Sequence, residues 1–294
     1  MPAKTNPENA STNSALRRPE WLKVRLGSGE TFSGVRQIVK SNNLHTVCES
    51  ARCPNLGECW SHGTATFMLL GNTCTRSCTF CNVQVGHPAV VDQDEPRRVA
   101  ESVQNMNLRH AVLTMVARDD LPDSGAQIIA DCIGWIRKLK SDCTVEALIS
   151  DLKGRKNDLD IILQSRPDIL NHNLETVKRL QKALRVQARY DRSLQILKWA
   201  REEGFVTKSG IMVGVGETVD EVIETLRDLR AIDCQILTVG QYLPPTPQHY
   251  PLHRYYHPAE FADLKEIALE MEFVHVESGP LVRSSYHAEQ AVRV

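Results

Sequence analysis

The sequence has no stretch approaching the roughly 18 apolar residues of a membrane-spanning helix, and its first twenty residues lack the apolar core of an export signal. Those absences predict a cytoplasmic chain with no membrane partner. Charge of one sign is missing as well. The 35 Lys and Arg stand against 36 Asp and Glu, a formal net charge of −1, so the basic excess with which a nucleic-acid tracker displaces counterions is not there. No internal repeat of fixed period and no heptad run occurs, which sets aside solenoids and coiled coils. Nor do the cysteines come in an even number. Nine of them, in a chain without an export signal, argue against a disulfide framework and for metal or redox chemistry in a reducing compartment.

At roughly 150 residues per domain, a length of 294 residues allows two domains or one large α/β barrel. Residues 1–18 carry almost no large apolar side chains, so nothing offsets the entropy of ordering them, and they are expected as a disordered tail. Residues 19–63 are irregular, with one short helical pattern at Val35, Ile38 and Val39 and then three cysteines among Pro54 and Gly57. An extension of this kind needs something other than a core to hold it. From residue 64 to about 272, strand-like runs at 66–70, 111–116, 144–149, 168–170, 208–213 and 236–239 alternate with segments of helical apolar spacing, such as Ile129, Ile133 and Ile136 or Val177, Leu180 and Leu184. Six β-then-α units predict an α/β fold on a parallel sheet, curled into a full or partial barrel or left open and doubly wound. Either way, chemistry gathers at the carboxyl ends of the strands.

Directly after the first of these strands stand Cys74, Cys78 and Cys81, spaced C-x3-C-x2-C. Three thiolates on one tight loop suit three irons of a 4Fe-4S cube and leave the fourth iron open as a binding position. Structural zinc is the competing reading, but it usually presents a second pair of cysteines with two-residue spacing, and none follows. A second triplet, Cys48, Cys53 and Cys59, precedes the first. Pro54 and Gly57 let the chain turn sharply between its members. It is read either as the ligand set of a second cluster or as three buried structural thiols.

The C-x3-C-x2-C loop, with Phe80 before its last cysteine, resembles the signature of radical S-adenosylmethionine enzymes. The longer segments CESARCPNLGECWSHGTATFMLLG, CTRSCTFC, RDDLPDSGA, NHNLETV, TKSGIMVGVGET, LTVGQYLPPT and GPLVRSSYHAEQ resemble the lipoyl synthase family, from about Pro19 to the C-terminus. The resemblance implies a partial (βα)6 TIM-type barrel over 64–272, an N-terminal extension over 19–63 that holds an auxiliary cluster, and a segment over 273–294 that closes on that cluster. It implies two 4Fe-4S clusters and S-adenosyl-L-methionine as cofactors, and a sulfurtransferase reaction. A 5′-deoxyadenosyl radical takes hydrogen from an octanoyl group on a carrier lysine, and the auxiliary cluster donates sulfur at C6 and C8. It further implies octanoylated carrier domains as partners, namely 2-oxoacid dehydrogenase E2 subunits and the glycine cleavage H protein, with a low-potential electron donor such as ferredoxin or flavodoxin. A serine of the RSSYHA run is implied as the oxygen ligand of the auxiliary cluster. Ser285 is assigned, with Ser284 as the alternative, because neighbours in an extended chain point opposite ways. Competing readings are another radical enzyme that inserts sulfur into a different acceptor and a non-catalytic iron-sulfur carrier.

Other residues carry weaker signals. Gly214 and Glu217, after the fifth strand, match the part of radical enzymes that lies beside the adenosine, although a plain strand-helix turn explains them too. Asn171, His172 and Asn173 follow the fourth strand, where amides can bond S-adenosylmethionine, and Asn173 suits a helix cap equally well. Arg118, Asp119 and Asp120 face the expected mouth or form a solvated loop. Phe80 and Tyr286 are candidates to shape an octanoyl pocket or to be plain core. Cys132, Cys143 and Cys234 read as structural thiols. The basic run Lys153–Lys156, with Lys178, Arg179, Lys182 and Arg185, is either a docking face for an acidic carrier or a solvated surface. Ala117, Ser150 and Val186 depart from the pattern expected of the family.

Overall fold

The computed structural model describes residues 17–23, 29–61, 65–286 and 288, so most of the expected tail, and His287, lie outside the described residues. Among the described residues ten strands follow one another as β1 (His45–Thr46), β2 (Thr66–Leu69), β3 (Thr73–Cys74), β4 (Gln84–Val85), β5 (His110–Met115), β6 (Thr144–Leu148), β7 (Ile169–Asn171), β8 (Val206–Val213), β9 (Ile236–Gln241) and β10 (His275–Gly279). Eight of them form one sheet in the order β1-β2-β5-β6-β7-β8-β9-β10, and β3 pairs with β4 apart from it. From β2 to β10 every pairing is parallel, and β1 is added antiparallel at the edge.

Strand order that follows sequence order means that every crossover steps the same way. Right-handed crossovers then put the helices on one face and leave the other face as a lumen, the arrangement of a partial barrel. The sheet stays open, because β1 and β10 are its two edges. Strands with both faces covered need continuous burial rather than alternation. Accordingly, β2 and β9 are buried at every residue. The helix Ala126–Leu139 turns Ile129, Cys132, Ile133 and Ile136 inward, at the i, i+3, i+4, i+7 spacing of an apolar stripe. The helix Val219–Ala231 starts at a capping box, with Thr218 Oγ1 accepting from the Glu221 amide and the Glu221 carboxylate accepting from the Thr218 amide.

All six expected strands are present, each within two residues of its expected ends. Two elements differ from expectation. The crossover helix between β7 and β8 is Tyr190–Glu202, whereas the apolar spacing of Val177, Leu180 and Leu184 belongs to a short 3-10 turn followed by a single α turn. Those side chains are buried, so their spacing reports how this segment is pinned over the barrel rather than a long helix. The other is β10, whose sequence HVESG is too polar to announce a strand. It is recruited because its backbone pairs with β9 over five residues. No disulfide joins the nine cysteines, and Cys132, Cys143 and Cys234 are buried in the core. Among the described residues no helix is long and apolar enough to cross a membrane.

Candidate active site

The lumen opens into a cavity of about 1290 Å³ lined by all six cysteines of the two triplets, by Phe80 and Asn173, and by Arg283, Ser284, Ser285 and Tyr286. Two segments far apart in sequence thus meet the carboxyl ends of the parallel strands.

The loop after β3 is fixed from several sides. Arg76, buried between Cys74 and Cys78, places Nε and Nη2 at 2.8 Å from the two carboxylate oxygens of Asp119, and Nη2 at 2.6 Å from Oδ1 of the fully buried Asp151. The Thr75 hydroxyl donates to the Ala117 carbonyl at 2.9 Å, and the Thr79 amide donates to the Leu184 carbonyl at 2.9 Å. Asn82 Nδ2 donates to the Ser50 carbonyl at 2.8 Å, which ties this loop to the one that carries the first triplet.

Burial pushes the Cys78 thiol up to about 11, against the opposing charge of Arg185, and the Cys81 thiol up to about 12, with smaller upward contributions from Cys78 and Cys74. Burial likewise raises Cys48 to about 11, and Cys53 adds to the rise. Such thiols are neutral in the metal-free chain, and a metal that takes them displaces their protons. Among the described residues no three His, Cys, Asp or Glu side chains converge closely enough to hold a single metal ion. The thiols instead surround space, and soft sulfur donors around space suit a multi-iron cube better than a lone zinc.

The C-terminal segment is laced across this cavity. Asn55 Nδ2, inside the first triplet, donates to the Leu281 carbonyl at 2.6 Å, and the Tyr286 hydroxyl donates to Glu58 at 3.1 Å. A Cβ at Gly240 of β9 would stand 2.2 Å from the Val282 carbonyl oxygen, so only glycine lets the segment lie this close. Asn173 Nδ2 donates to Ser284 Oγ at 2.6 Å. Ser285 faces the same cavity.

The remaining expected residues divide. Asn171 does not line the cavity. It donates to the buried Glu146 at 2.6 Å, and Lys208 pairs with that same carboxylate at 2.9 Å. Gly214 and Glu217 are also outside the lining. Glu217 accepts from the amides of Gly214 at 2.6 Å and Val215 at 2.9 Å, closing a turn in which Gly214 has a φ of 99°. Arg118 pairs with Asp120 at 2.8 Å, and Asp119 is taken by Arg76, so that loop is an ion-pair scaffold. Part of the basic stretch is ion-paired, Arg155 with Asp158, Lys156 with Asp160 and Arg179 with Glu221. Arg185 is no part of an outer face. It is buried, lines the cavity, and donates to the Asn173 carbonyl at 3.0 Å. Glu175, which sequence reasoning missed, lines the cavity as well. Its left-handed φ of 66°, just beyond a strand end, leaves no mark in the residue type.

His172 is held by a directional chain. Arg185 donates to Ser193 Oγ at 3.2 Å, the Ser193 hydroxyl lies 2.9 Å from His172 Nε2, and His172 Nδ1 lies 2.8 Å from the Ile149 carbonyl. A carbonyl only accepts, so Nδ1 carries the proton and Nε2 receives one from serine. Burial, followed by the charge of Arg185, drives this histidine from 6.5 down to about 4. Because the folded value is the lower one, the unfolded chain takes up the proton first as pH falls below 6.5. The stability contribution is therefore complete above that pH and drains away towards about 4. Between about pH 7.5 and about pH 5, urea unfolding of the metal-free chain should lose about 2 kcal/mol more than His172→Gln loses. Parallel pH profiles for the two proteins would contradict this.

Residues 68–229 match the family model of the radical SAM superfamily, and residues 3–53 match the model of the N-terminal domain of lipoyl synthase. The chain is 52% identical over 286 residues to the lipoyl synthase of Halalkalibacterium halodurans, across 96% of this chain and 94% of that one. It is 54% identical over 275 residues to the lipoyl synthase of Rubrobacter xylanophilus, across 93% and 86%. Among solved structures it is similar to methylornithine synthase, with a TM-score of 0.54 at 14% identity over 85% of this chain and 83% of that one, a likeness of fold alone.

Proposed function

The chain belongs to the lipoyl synthase family of radical S-adenosylmethionine enzymes, and from that premise we propose that Cys74, Cys78 and Cys81 hold its initiating 4Fe-4S cluster, while Cys48, Cys53, Cys59 and Ser285 hold a second, sacrificial one. The reaction is the insertion of two sulfur atoms at C6 and C8 of an octanoyl group carried on a lysine of a lipoyl carrier domain. When bound, the clusters and S-adenosylmethionine supply the 5′-deoxyadenosyl radical that removes hydrogen and the sulfur that replaces it. One observation carries the assignment: both cysteine triplets and the serine pair line a single cavity at the carboxyl ends of the parallel strands.

The residues divide the remaining work. Arg76 holds the Cys74–Cys81 loop against two strand ends through Asp119 and Asp151. Val112, Leu148 and Met212, which project into the lumen from β5, β6 and β8, give an octanoyl chain an apolar wall and keep water from the radical. Phe80 shapes the rim beside Cys81, and Asn173 and Glu175 supply polar contacts for S-adenosylmethionine. The engagement of Ser284 by Asn173 supports Ser285 as the ligand of the auxiliary cluster. A hydroxyl is a poorer partner than thiolate for cluster iron, so it makes the releasable tether that a consumed cluster needs. Residues 19–63 act as the auxiliary-cluster extension, 64–272 as the barrel and 273–294 as the closing segment. E2 subunits and the H protein are the carriers we assign, with ferredoxin or flavodoxin as reductant, in the cytoplasm.

The assignment is tested by rebuilding the clusters anaerobically with isotopically labelled sulfide. Mass analysis of the carrier peptide should find both sulfurs of the lipoyl group labelled. An unlabelled product would remove the auxiliary cluster as donor.

A further inference from the structure

Resting on that reading, we propose that Asn173 is a positioning residue that couples the S-adenosylmethionine end of the cavity to the C-terminal segment bearing Ser285. One face of its amide holds Ser284, and the other is turned to a donor on the cofactor.

Asn173 lies two residues beyond the end of β7 and is only 7% exposed. Its Nδ2 donates to Ser284 Oγ at 2.6 Å and to Glu175 Oε1 at 3.0 Å. A carboxylate accepts and does not donate, so the contact with Glu175 sets which way the amide is turned. Its Oδ1 is therefore on the other side, where it is buried and has no hydrogen-bond partner among the described residues. That oxygen faces Gly210, whose Cβ, had it one, would stand 2.9 Å away. Glycine thus keeps a side chain from crowding the unpartnered acceptor. A buried acceptor without a donor is costly, and the cost falls away when a ligand brings one. S-adenosylmethionine carries an ammonium group and ribose hydroxyls, each a donor.

The two ends of one amide are not independent. When Oδ1 accepts a hydrogen bond, the amide polarises and Nδ2 becomes a stronger donor to Ser284. Occupation of the cofactor site then tightens the stretch from Leu281 to Tyr286, which is also tied to the first triplet through Asn55. Ser285 is held while the cofactor is present and relaxed once it leaves. By linkage, whatever secures the segment raises affinity for the cofactor by the same factor.

The experiment uses the chain with both clusters and S-adenosylmethionine without reductant, so that nothing turns over. Amide hydrogen exchange across 281–286 should slow about 1.2- to 1.7-fold on adding the cofactor, the scale of strengthening one net hydrogen bond by about 10–30%. In Ser284→Ala that slowing should vanish and affinity for S-adenosylmethionine should weaken by the same factor. Iron should stay near eight per chain, the content of about two cubes. Ser284→Thr, which keeps the hydroxyl, should restore both readouts. Unchanged slowing in Ser284→Ala overturns the coupling, as does a change in exchange without the matching change in affinity. Iron falling towards about four in Ser284→Ala also overturns it, because Ser284 would then be a ligand. Wild-type protein that holds only about four irons would instead defeat the two-cluster reading itself.

Discussion

Cys78→Ala should abolish 5′-deoxyadenosine, whereas Cys53→Ala should leave its formation intact and stop sulfur insertion. The asymmetry follows from where the two thiols sit. Cys78 belongs to the loop anchored by Arg76 beside the strand ends, together with Cys74 and Cys81. On the proposed assignment, two thiolates would not hold a cube that is already one ligand short, and the site for S-adenosylmethionine would go with the cluster. Cys53 lies on the extension, tied to the barrel through Asn82 and the Ser50 carbonyl and to the C-terminal segment through Asn55. Its removal costs the sulfur source and spares the radical loop. Each variant should fall from about eight irons per chain to about four. Liquid chromatography of the nucleoside and mass analysis of the carrier peptide read the two steps separately. Loss of 5′-deoxyadenosine in Cys53→Ala would mean that the triplets do not act apart, and continued formation in Cys78→Ala would remove the first triplet from radical chemistry.

The parts of this architecture that were legible in the sequence are those set by local pattern. Largely apolar runs marked β2, β5 and β9, because strands covered on both faces have no exposed polar side to alternate with. Cysteine spacing marked both triplets, because ligands on a tight loop must recur within a few residues. What escaped depends on partners remote in the chain. The strand β10 forms because β9 offers an unpaired edge, and HVESG carries no apolar run to announce it. Arg185 looks like one charge in a basic surface stretch until the Asn173 carbonyl and Ser193 are brought to it. Asn171 and Asn173 stand two residues apart and read alike, yet one is drawn down to Glu146 and the other out to Ser284. Strand alternation would put both on one face, but β7 ends at Asn171, and the chain beyond it turns Asn173 to the cavity. Gly214 and Glu217 occupy their motif faithfully, and the carboxylate is engaged by the amides of its own turn.

Arg76→Leu should lower the unfolding free energy of the metal-free chain by about 3 to 5 kcal/mol, the usual consequence of removing one partner from a buried ion pair. The guanidinium is 5% exposed and divides its donors between Asp119 and the fully buried Asp151. Burial alone would raise Asp151, but Arg76 outweighs it and holds that carboxyl below its ordinary range. Without Arg76, Asp151 keeps, among the described residues, Arg192 at 3.3 Å as its cationic partner. A second change separates the energetic role from the geometric one. Adding Asp151→Leu removes the stranded carboxylate, and a buried pair replaced by apolar side chains of similar volume is often no less stable, so urea unfolding should recover most of the loss. The first cluster should not recover with it, because Cys74 and Cys78 are aimed by the bidentate grip of Arg76 on Asp119, which leucine lacks. Iron content should therefore sit near four per chain in both variants, with 5′-deoxyadenosine formation lost in both. A double variant that regained stability and cluster together would show that Arg76 serves the fold alone, and a single variant within about 1 kcal/mol of wild type would show that the buried network is not needed even for that.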